Sequence, residues 1–237
     1  MRVHGVHGAG VVTGLTVQDT ERVHRVLPAF PNVVLEQLRT LLRDVPPDAV
    51  KIGMLATDDV ARNVELGLFE LDPARRTPIV VDPVLAASDG TPLLERRGWG
   101  KLLDLVGRCT LATPNLAEAA ALSGCDVSTA EGVEAAASAL VGLGANAVLV
   151  KGGHRDGPPD DLLALRSGGS VSFEWLRSQR LDVGPVRGTG CALASAIAAR
   201  LALGDAIPEA VAAGRSFVAR ALASSDARGR GARFLNY

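Results

Sequence analysis

The run VRGTGC (residues 186–191) is followed by the alanine-rich run ALASAIAARL (residues 192–201). Two glycines allow a tight turn and a close approach of the backbone to a ligand. Apolar residues recur every four positions at Leu193, Ile197 and Leu201, which predicts a buried helix beginning at this turn. Because the first turn of a helix presents unpaired N–H groups and a positive dipole end, the junction is typical of a phosphate site.

The same run also has a purely structural interpretation. Thr189 would then cap the helix, and Cys191 would pack as a small apolar side chain. In the functional interpretation the backbone from Gly188 to Gly190 binds an anion, and the helix N-terminus lowers the pKa of the Cys191 thiol. The rest of the chain favours the functional interpretation.

Composition limits the class of protein. The 237 residues are 47% hydrophobic but only 3% aromatic, which predicts a single domain over residues 1–237 with a core of Ala, Val and Leu. A formal net charge of -1 without a basic stripe argues against a nucleic-acid partner. No apolar run spans a bilayer and no signal peptide is present, so we expect a cytoplasmic protein without a membrane partner. The isolated Cys109, Cys125 and Cys191 lack zinc-site spacing and fit a reducing compartment.

Short β-branched runs alternate with helical patterns along the chain. Strands are predicted at residues 11–17, 49–52, 78–82, 109–113 and 147–151, a hairpin at 162–166 and 171–175, and helices at 32–44, after Thr57 or Asp58, at 95–106, 115–123 and 129–143, and from Thr189 and Pro208. This alternation predicts an α/β fold with a mostly parallel central sheet and helices on both faces. Ligands of such folds bind at the carboxyl ends of the strands.

Charged side chains follow three of the predicted strands. Asp82 ends a buried strand and is suited to holding Mg²⁺, although Asp before Pro is also a common turn former. Glu118, in TPNLAE (residues 113–118), either faces a metal–phosphate site or closes a capping box with Asn115. Lys151, which opens KGGH (residues 151–154), either neutralises phosphate charge or is a solvated lysine at a turn.

A metal site, a cation and an anion-binding turn are together the components of a phosphoryl-transfer site. Because they follow successive strand–helix units, we expect them to converge on one edge of the sheet. The chain has no GxxxxGK[ST] motif and no GxGxxG after a first strand. A Walker-type NTPase and a Rossmann dehydrogenase are therefore disfavoured.

Five motifs in order, KIGML (51–55), DPV (82–84), TPNLAE (113–118), KGGH (151–154) and GTGC (188–191), resemble those of the hydroxymethylpyrimidine/phosphomethylpyrimidine kinases. These enzymes of thiamine biosynthesis have a ribokinase-like fold. The resemblance implies phosphorylation of 4-amino-5-hydroxymethyl-2-methylpyrimidine, its monophosphate or both, with ATP and Mg²⁺, by a homodimer.

The resemblance also implies roles for individual residues. Pyrimidine contacts would come from Gln18, Met54 and Val84, Mg²⁺ ligation from Asp82 and Glu118, ATP contacts from Lys151, Gly153 and Thr189, and the catalytic anion hole from Gly188, Thr189, Gly190 and Cys191. Cys191 would occupy the place of the aspartate base of ribokinase.

The chain departs from the family in several places. The family opens with a strand and a glycine-rich segment that nothing here matches, so we expect unpaired backbone groups and an open apolar groove where that strand would lie. Arg187 replaces a histidine, Leu85 replaces a common methionine, and Ser88 falls where lysine is common. Two alternatives therefore stay open: a sister kinase for hydroxyethylthiazole or pyridoxal, and a catalytically weak pyrimidine-binding or regulatory relative.

Overall fold

A computed structural model of the chain describes residues 1–71, 77–153 and 158–237. Its helices are α1 (Pro31–Asp44), α2 (Asp58–Leu71), α3 (Trp99–Val106), α4 (Leu116–Ser123), α5 (Ala130–Gly142), α6 (Thr189–Ala202) and α7 (Ile207–Ala223). Its strands are β1 (Gly14–Gln18), β2 (Val23–Pro28), β3 (Val50–Ile52), β4 (Ile79–Val81), β5 (Leu111–Ala112), β6 (Ala147–Val150), β7 (Asp161–Ser167), β8 (Ser170–Leu176), β9 (Val186–Arg187) and β10 (Arg233–Phe234). None of the described helices is both long and apolar enough to cross a bilayer.

The central sheet has the strand order β3-β4-β5-β6-β7-β8. The first four strands are parallel neighbours, and the β7–β8 hairpin continues the sheet antiparallel to β6. Helices connect the successive parallel strands, whereas a tight turn joins the antiparallel strands β7 and β8. The predicted mostly parallel α/β sheet is confirmed.

Helices cover both faces of this sheet because successive strand residues point to opposite sides. In β4, Ile79 and Val81 face the larger apolar cluster, which includes residues of α1, α2, α3 and α5. Val80 faces the second cluster, where it packs with α6 and α7 through residues such as Ile197 and Val211. Strands buried on both faces read as continuous apolar runs, which is the pattern at residues 79–81.

Most predicted elements lie within a few residues of their observed bounds, and the differences have local causes. The predicted helix at 95–106 is divided into a 3-10 turn, Arg96–Gly98, and α3. Glu95 accepts a hydrogen bond from the Asp58 backbone N–H at 2.8 Å, which fixes its side chain to the start of α2. The regular helix therefore begins only at Trp99.

Two small sheets lie outside the central one. The strand predicted at residues 11–17 begins at Gly14 and pairs antiparallel with β2, which was not predicted. Before it, the Thr13 carbonyl accepts from the Ala29 N–H at 3.1 Å, and its hydroxyl donates to the Met54 carbonyl at 2.6 Å, so Thr13 joins the end of β2 to the residues after β3. The parallel pair of β9 and β10 was also missed, because two-residue strands leave no periodicity to detect.

The β3 edge of the central sheet is open. In its ladder with β4, the Val50 N–H donates to Pro78 and the Ile52 carbonyl accepts from Asp82, so the N–H and carbonyl of Lys51 point away from β4. A cavity of 860 Å³, the β3 groove, runs along this edge. Its apolar walls include Leu38, Leu42, Val64 and Leu68 on one side and Ala198, Ala199 and Ala202 on the other. The expected open apolar groove is therefore present.

Candidate active site

Asp82 is the centre of a group of polar side chains, the Asp82 cluster, formed with Lys51, Thr113, Lys151 and Cys191. Its carboxylate is only 2% exposed. Oδ1 accepts from Lys151 Nζ at 3.0 Å and from Thr113 Oγ1 at 3.4 Å. Oδ2 accepts from Cys191 Sγ at 3.2 Å and lies 3.7 Å from Lys51 Nζ.

The order of the sheet explains this convergence. Lys51 lies on β3, while Asp82, Thr113 and Lys151 directly follow β4, β5 and β6. Because these strands are parallel neighbours, their carboxyl ends meet at one edge. Cys191 reaches the same point from the first turn of α6, so all four predicted motifs supply a side chain to the cluster.

Two glycines give the lysine ammonium groups their space. A Cβ added to Gly190 would lie 3.0 Å from Lys151 Nζ and 4.0 Å from Asp82 Oδ1. A Cβ added to Gly53 would clash with Lys51 Nζ. The second glycine of GTGC therefore allows close approach to the cation as well as a tight turn.

Charge pairing dominates the electrostatics of Asp82 and Lys151. Burial alone would raise the pKa of the Asp82 carboxyl, but the Lys151 and Lys51 ammonium groups outweigh it and lower that pKa. Burial likewise opposes the charged form of Lys151, and the carboxylates of Asp82 and Glu118 outweigh it and raise the pKa of Lys151. Both groups are therefore charged at neutral pH.

The expected pKa of Cys191 is wrong in sign. Burial of the thiol, followed by the charge of Asp82, raises the pKa of Cys191 to about 11, although Lys51 and Lys151 act in the opposite direction. The residue as a whole is exposed, but its Sγ is directed inward to the carboxylate. The thiol is therefore protonated and donates to Asp82, and the positive helix end does not make it a thiolate.

The first turn of α6 is free of a side-chain cap. Gly188 occupies the N-cap position with a left-handed φ of 79°, so Thr189 lies inside the helix and does not cap it. The first helical bond runs from the Ala192 N–H to the Gly188 carbonyl. Among described residues the N–H groups of residues 189–191 have no acceptor, as an anion-binding turn requires.

Glu118 has both of the features considered for it. Its carboxylate accepts from the Asn115 N–H at 2.7 Å while Asn115 Oδ1 accepts from the Glu118 N–H at 2.8 Å, which completes the capping box. Burial raises the pKa of Glu118, and Lys151 partly offsets that effect. The side chain is 6% exposed and close enough to Lys151 for their charges to interact.

The residues assigned to the pyrimidine do not form a cluster of contacting side chains like that around Asp82. Met54 lines the β3 groove and packs against Gly14, and Val84 donates its N–H to the Asp82 carbonyl at 2.8 Å. Gln18 is exposed at the end of β1, where its side chain accepts from Thr16 at 3.2 Å. No hydrogen bond or ion pair among described residues joins Gln18 to the Asp82 cluster.

The KGGH motif is only partly described. Gly153 follows β6, and its carbonyl accepts from Arg180 at 3.0 Å. His154 lies outside the described residues.

Sequence reasoning missed Lys51 and Thr113 as members of the cluster. Both lie inside longer motifs, KIGML and TPNLAE, whose pattern gives neither residue a role of its own. The signal for them was their position, since Thr113 directly follows β5 and Lys51 lies on β3, the neighbour of β4.

Comparison with known proteins gives the family. A family model described as phosphomethylpyrimidine kinase matches residues 1–236. The chain belongs to the phosphomethylpyrimidine kinase family. It is 32% identical over 241 residues to hydroxymethylpyrimidine/phosphomethylpyrimidine kinase of Aquifex aeolicus (strain VF5), covering 98% of this chain and 89% of that protein.

Solved structures of two kinases resemble this family member over most of their length. One is the phosphomethylpyrimidine kinase of Clostridium difficile 630, with a TM-score of 0.80, 30% identity, and 93% of this chain and 89% of that chain covered. The other is a Bacillus subtilis pyridoxal kinase solved as an ADP complex, with a TM-score of 0.86, 28% identity, and 99% and 87% covered. The predicted family and ribokinase-like fold are confirmed.

Proposed function

We propose that this protein transfers a phosphoryl group from ATP to the hydroxymethyl group of 4-amino-5-hydroxymethyl-2-methylpyrimidine, to its monophosphate, or to both, in thiamine biosynthesis. Membership of the phosphomethylpyrimidine kinase family supports the reaction. The observation that carries the proposal for the site is the contact of Asp82 with both Lys151 and Cys191 beside the uncapped first turn of α6.

The proposed reaction needs stabilisation of phosphate charge more than covalent chemistry by the protein. Lys151 would bind the phosphates of ATP, the N–H groups of Thr189 and Gly190 would bind the transferring phosphoryl group, and Gly153 would contact ATP. As the P–O bond to ADP breaks, the alcohol oxygen forms the new P–O bond, and its proton passes to an oxygen of the transferred phosphoryl group. Because the Cys191 thiol is protonated, we assign it to orienting the alcohol at the anion hole formed by residues 188–191.

The donor set fits Mg²⁺. Described residues contain no cluster of three or more metal-ligating side chains, and the carboxylates near the phosphate end are those of Asp82 and Glu118. Mg²⁺ is typically held in kinases by one or two carboxylates together with waters and substrate phosphates. We therefore assign Asp82 and Glu118 to Mg²⁺, which would neutralise phosphate charge when bound.

Gln18, Met54 and Val84 are proposed to bind the pyrimidine. Met54 has the most support, because it lines the β3 groove and is three residues from Lys51. We further propose that residues 1–237 work as one domain in a cytoplasmic homodimer without nucleic-acid or membrane partners. The single central sheet that joins both apolar clusters supports the one-domain organisation.

Pyridoxal is the second candidate substrate, since a pyridoxal kinase is among the similar structures. ADP production should be measured with the pyrimidine, its monophosphate, hydroxyethylthiazole and pyridoxal in turn, with ATP and Mg²⁺ present. We expect the highest kcat/KM for one of the two pyrimidines. A higher value for pyridoxal would replace the proposed substrate, and no turnover of any alcohol would remove the kinase proposal.

A further inference from the structure

Lysine is rare in this chain, and most of its lysines lie at one site. Of the 25 basic residues, Lys51, Lys101 and Lys151 are the lysines and all others are arginines. Two of these three lysines contact the same carboxylate, Asp82. A chain that uses arginine almost everywhere else thus has compact ammonium groups near both oxygens of one buried acid.

The two ammonium groups are not equivalent. Lys151 Nζ is within hydrogen-bond distance of Asp82 at 3.0 Å, whereas Lys51 Nζ is 3.7 Å from the carboxylate, which is longer than a normal hydrogen bond. Lys51 makes no side-chain hydrogen bond to any other described residue, although its side chain is only 15% exposed. An ammonium has three donors, and leaving them unmatched in a nearly buried position is unfavourable.

Lys51 also has a distinctive position. Of the members of the Asp82 cluster, it alone lines the β3 groove, together with Gly53 and Met54. Its ammonium group is 3.7 Å from Asp82 and next to Gly53, so Lys51 adjoins both the groove that the proposed pyrimidine-binding residue Met54 lines and the proposed phosphate-binding residues. An ammonium with free N–H donors at this position can contact the phosphoryl group that is transferred from ATP to the alcohol.

We infer that Lys51 is a second cation of the transfer site, which contacts the γ-phosphoryl group of ATP from the side of the alcohol. This inference rests on the proposed function. Lys151 would contact phosphates in both ATP and ADP. Lys51 would gain a hydrogen-bond acceptor only when a γ-phosphoryl group is present. The Gly53 position would be required because a side chain there would displace the ammonium.

Lysine labelling followed by mass spectrometry tests the contact without any alcohol. Lys101, which pairs with Glu65 at 3.3 Å and Asp104 at 2.7 Å, is an internal control in the same sample. With Mg²⁺ present, we expect AMP-PCP but not ADP to slow labelling of Lys51, both nucleotides to slow labelling of Lys151, and neither to affect Lys101. Protection of Lys151 without Lys51 would overturn the inference alone, and protection of neither would overturn the proposed function as well.

Variants give the second readout. We expect Lys51→Met to lower kcat at least about 100-fold, the loss typical of removing one transition-state donor. In calorimetry, affinity for AMP-PCP should fall about tenfold with that for ADP unchanged, a split that a general structural defect would not produce. Lys101→Met should behave as wild type. Equal losses for both nucleotides, or an unchanged kcat, would contradict the inference.

Gly53→Ala removes the same contact without deleting the lysine. The added methyl group meets only the flexible end of the Lys51 side chain, so the fold should tolerate it. We expect the same selective loss of AMP-PCP affinity and a kcat reduced at least about tenfold, with a melting temperature near that of wild type. Wild-type kcat in Gly53→Ala would show that the ammonium position is unimportant and would overturn the inference.

Discussion

The Asp82 cluster and the β3 groove lie next to each other at β3. They differ in whether their polar groups have hydrogen-bond or ion-pair partners. In the cluster, a carboxylate that is 2% exposed contacts two lysines, a threonine and a thiol. Along the groove, the backbone edge of β3 has no strand partner within the described part of the chain, and the walls are mostly apolar. Buried charges require specific partners, whereas an apolar cavity tolerates variation, so substitutions should be costly in the first region and inexpensive in the second.

The largest effect is expected for Asp82→Asn. This variant leaves Lys51 and Lys151 without their shared counter-charge, and breaking a buried ion pair costs about 3–5 kcal/mol of unfolding free energy. Turnover should fall at least about 1000-fold, since both cations lose their position. ADP release and urea unfolding measure the two effects.

The pH dependence of that loss has a defined sign. Because the pKa of Asp82 is lowered in the folded state, its stabilisation is complete above the unfolded value of 3.8 and is lost as pH falls through the lower folded value. The stability difference between wild type and Asp82→Asn should therefore shrink below about pH 4. Asp126→Asn, which removes an exposed carboxyl, is the matched control; an equal loss of activity there would contradict a local effect.

Cys191→Ala should separate activity from stability within the cluster. Its thiol makes one described hydrogen bond, to Asp82, and the residue is exposed, so the melting temperature should change by less than about 3 °C. Turnover should fall about 100-fold, because a group at the anion hole is lost. Loss of stability in proportion to activity would return Cys191 to a packing role.

The rate of alkylation of Cys191 reports directly whether its thiol is protonated. With a pKa of about 11, the thiolate fraction at pH 8 is about a hundredfold below that of a free cysteine. Iodoacetamide should therefore modify Cys191 about 100 times more slowly than free cysteine at pH 8, and the rate should rise steeply towards pH 10. Peptide mass spectrometry follows the reaction. A rate equal to that of free cysteine would show that the thiol is activated.

The smallest effect is expected in the groove. Ala202 is half-buried on its wall, and Ala202→Leu adds apolar volume to an existing cavity. Unfolding free energy should change by less than about 1 kcal/mol, turnover by less than twofold, and binding of an apolar dye such as ANS should decrease. A large loss of turnover would mean that the groove and the cluster are coupled.

Much of this arrangement could be predicted from sequence because it depends on strand order. Asp82 and Lys151 each follow a buried apolar run, and parallel strands bring such positions together. The charge state of Cys191 could not be predicted, because the dipole of α6 acts against burial and Asp82, whose proximity depends on packing. The β2 strand was missed because its sequence, VHRVLP (residues 23–28), lacks the alternation of apolar and polar residues that indicates a strand, and only pairing with β1 defines it.

The capping box of α4 links metal binding at the site to the hydrogen bond of one backbone amide. The Glu118 carboxylate that accepts from the Asn115 N–H is the same group assigned to Mg²⁺. If Mg²⁺ took Oε2, the oxygen that accepts from the Asn115 N–H, the carboxylate would give up this backbone donor and the first turn of α4 would loosen. The exchange rate of one amide hydrogen, that of Asn115, would then act as a built-in gauge of metal occupancy, readable by NMR without any substrate.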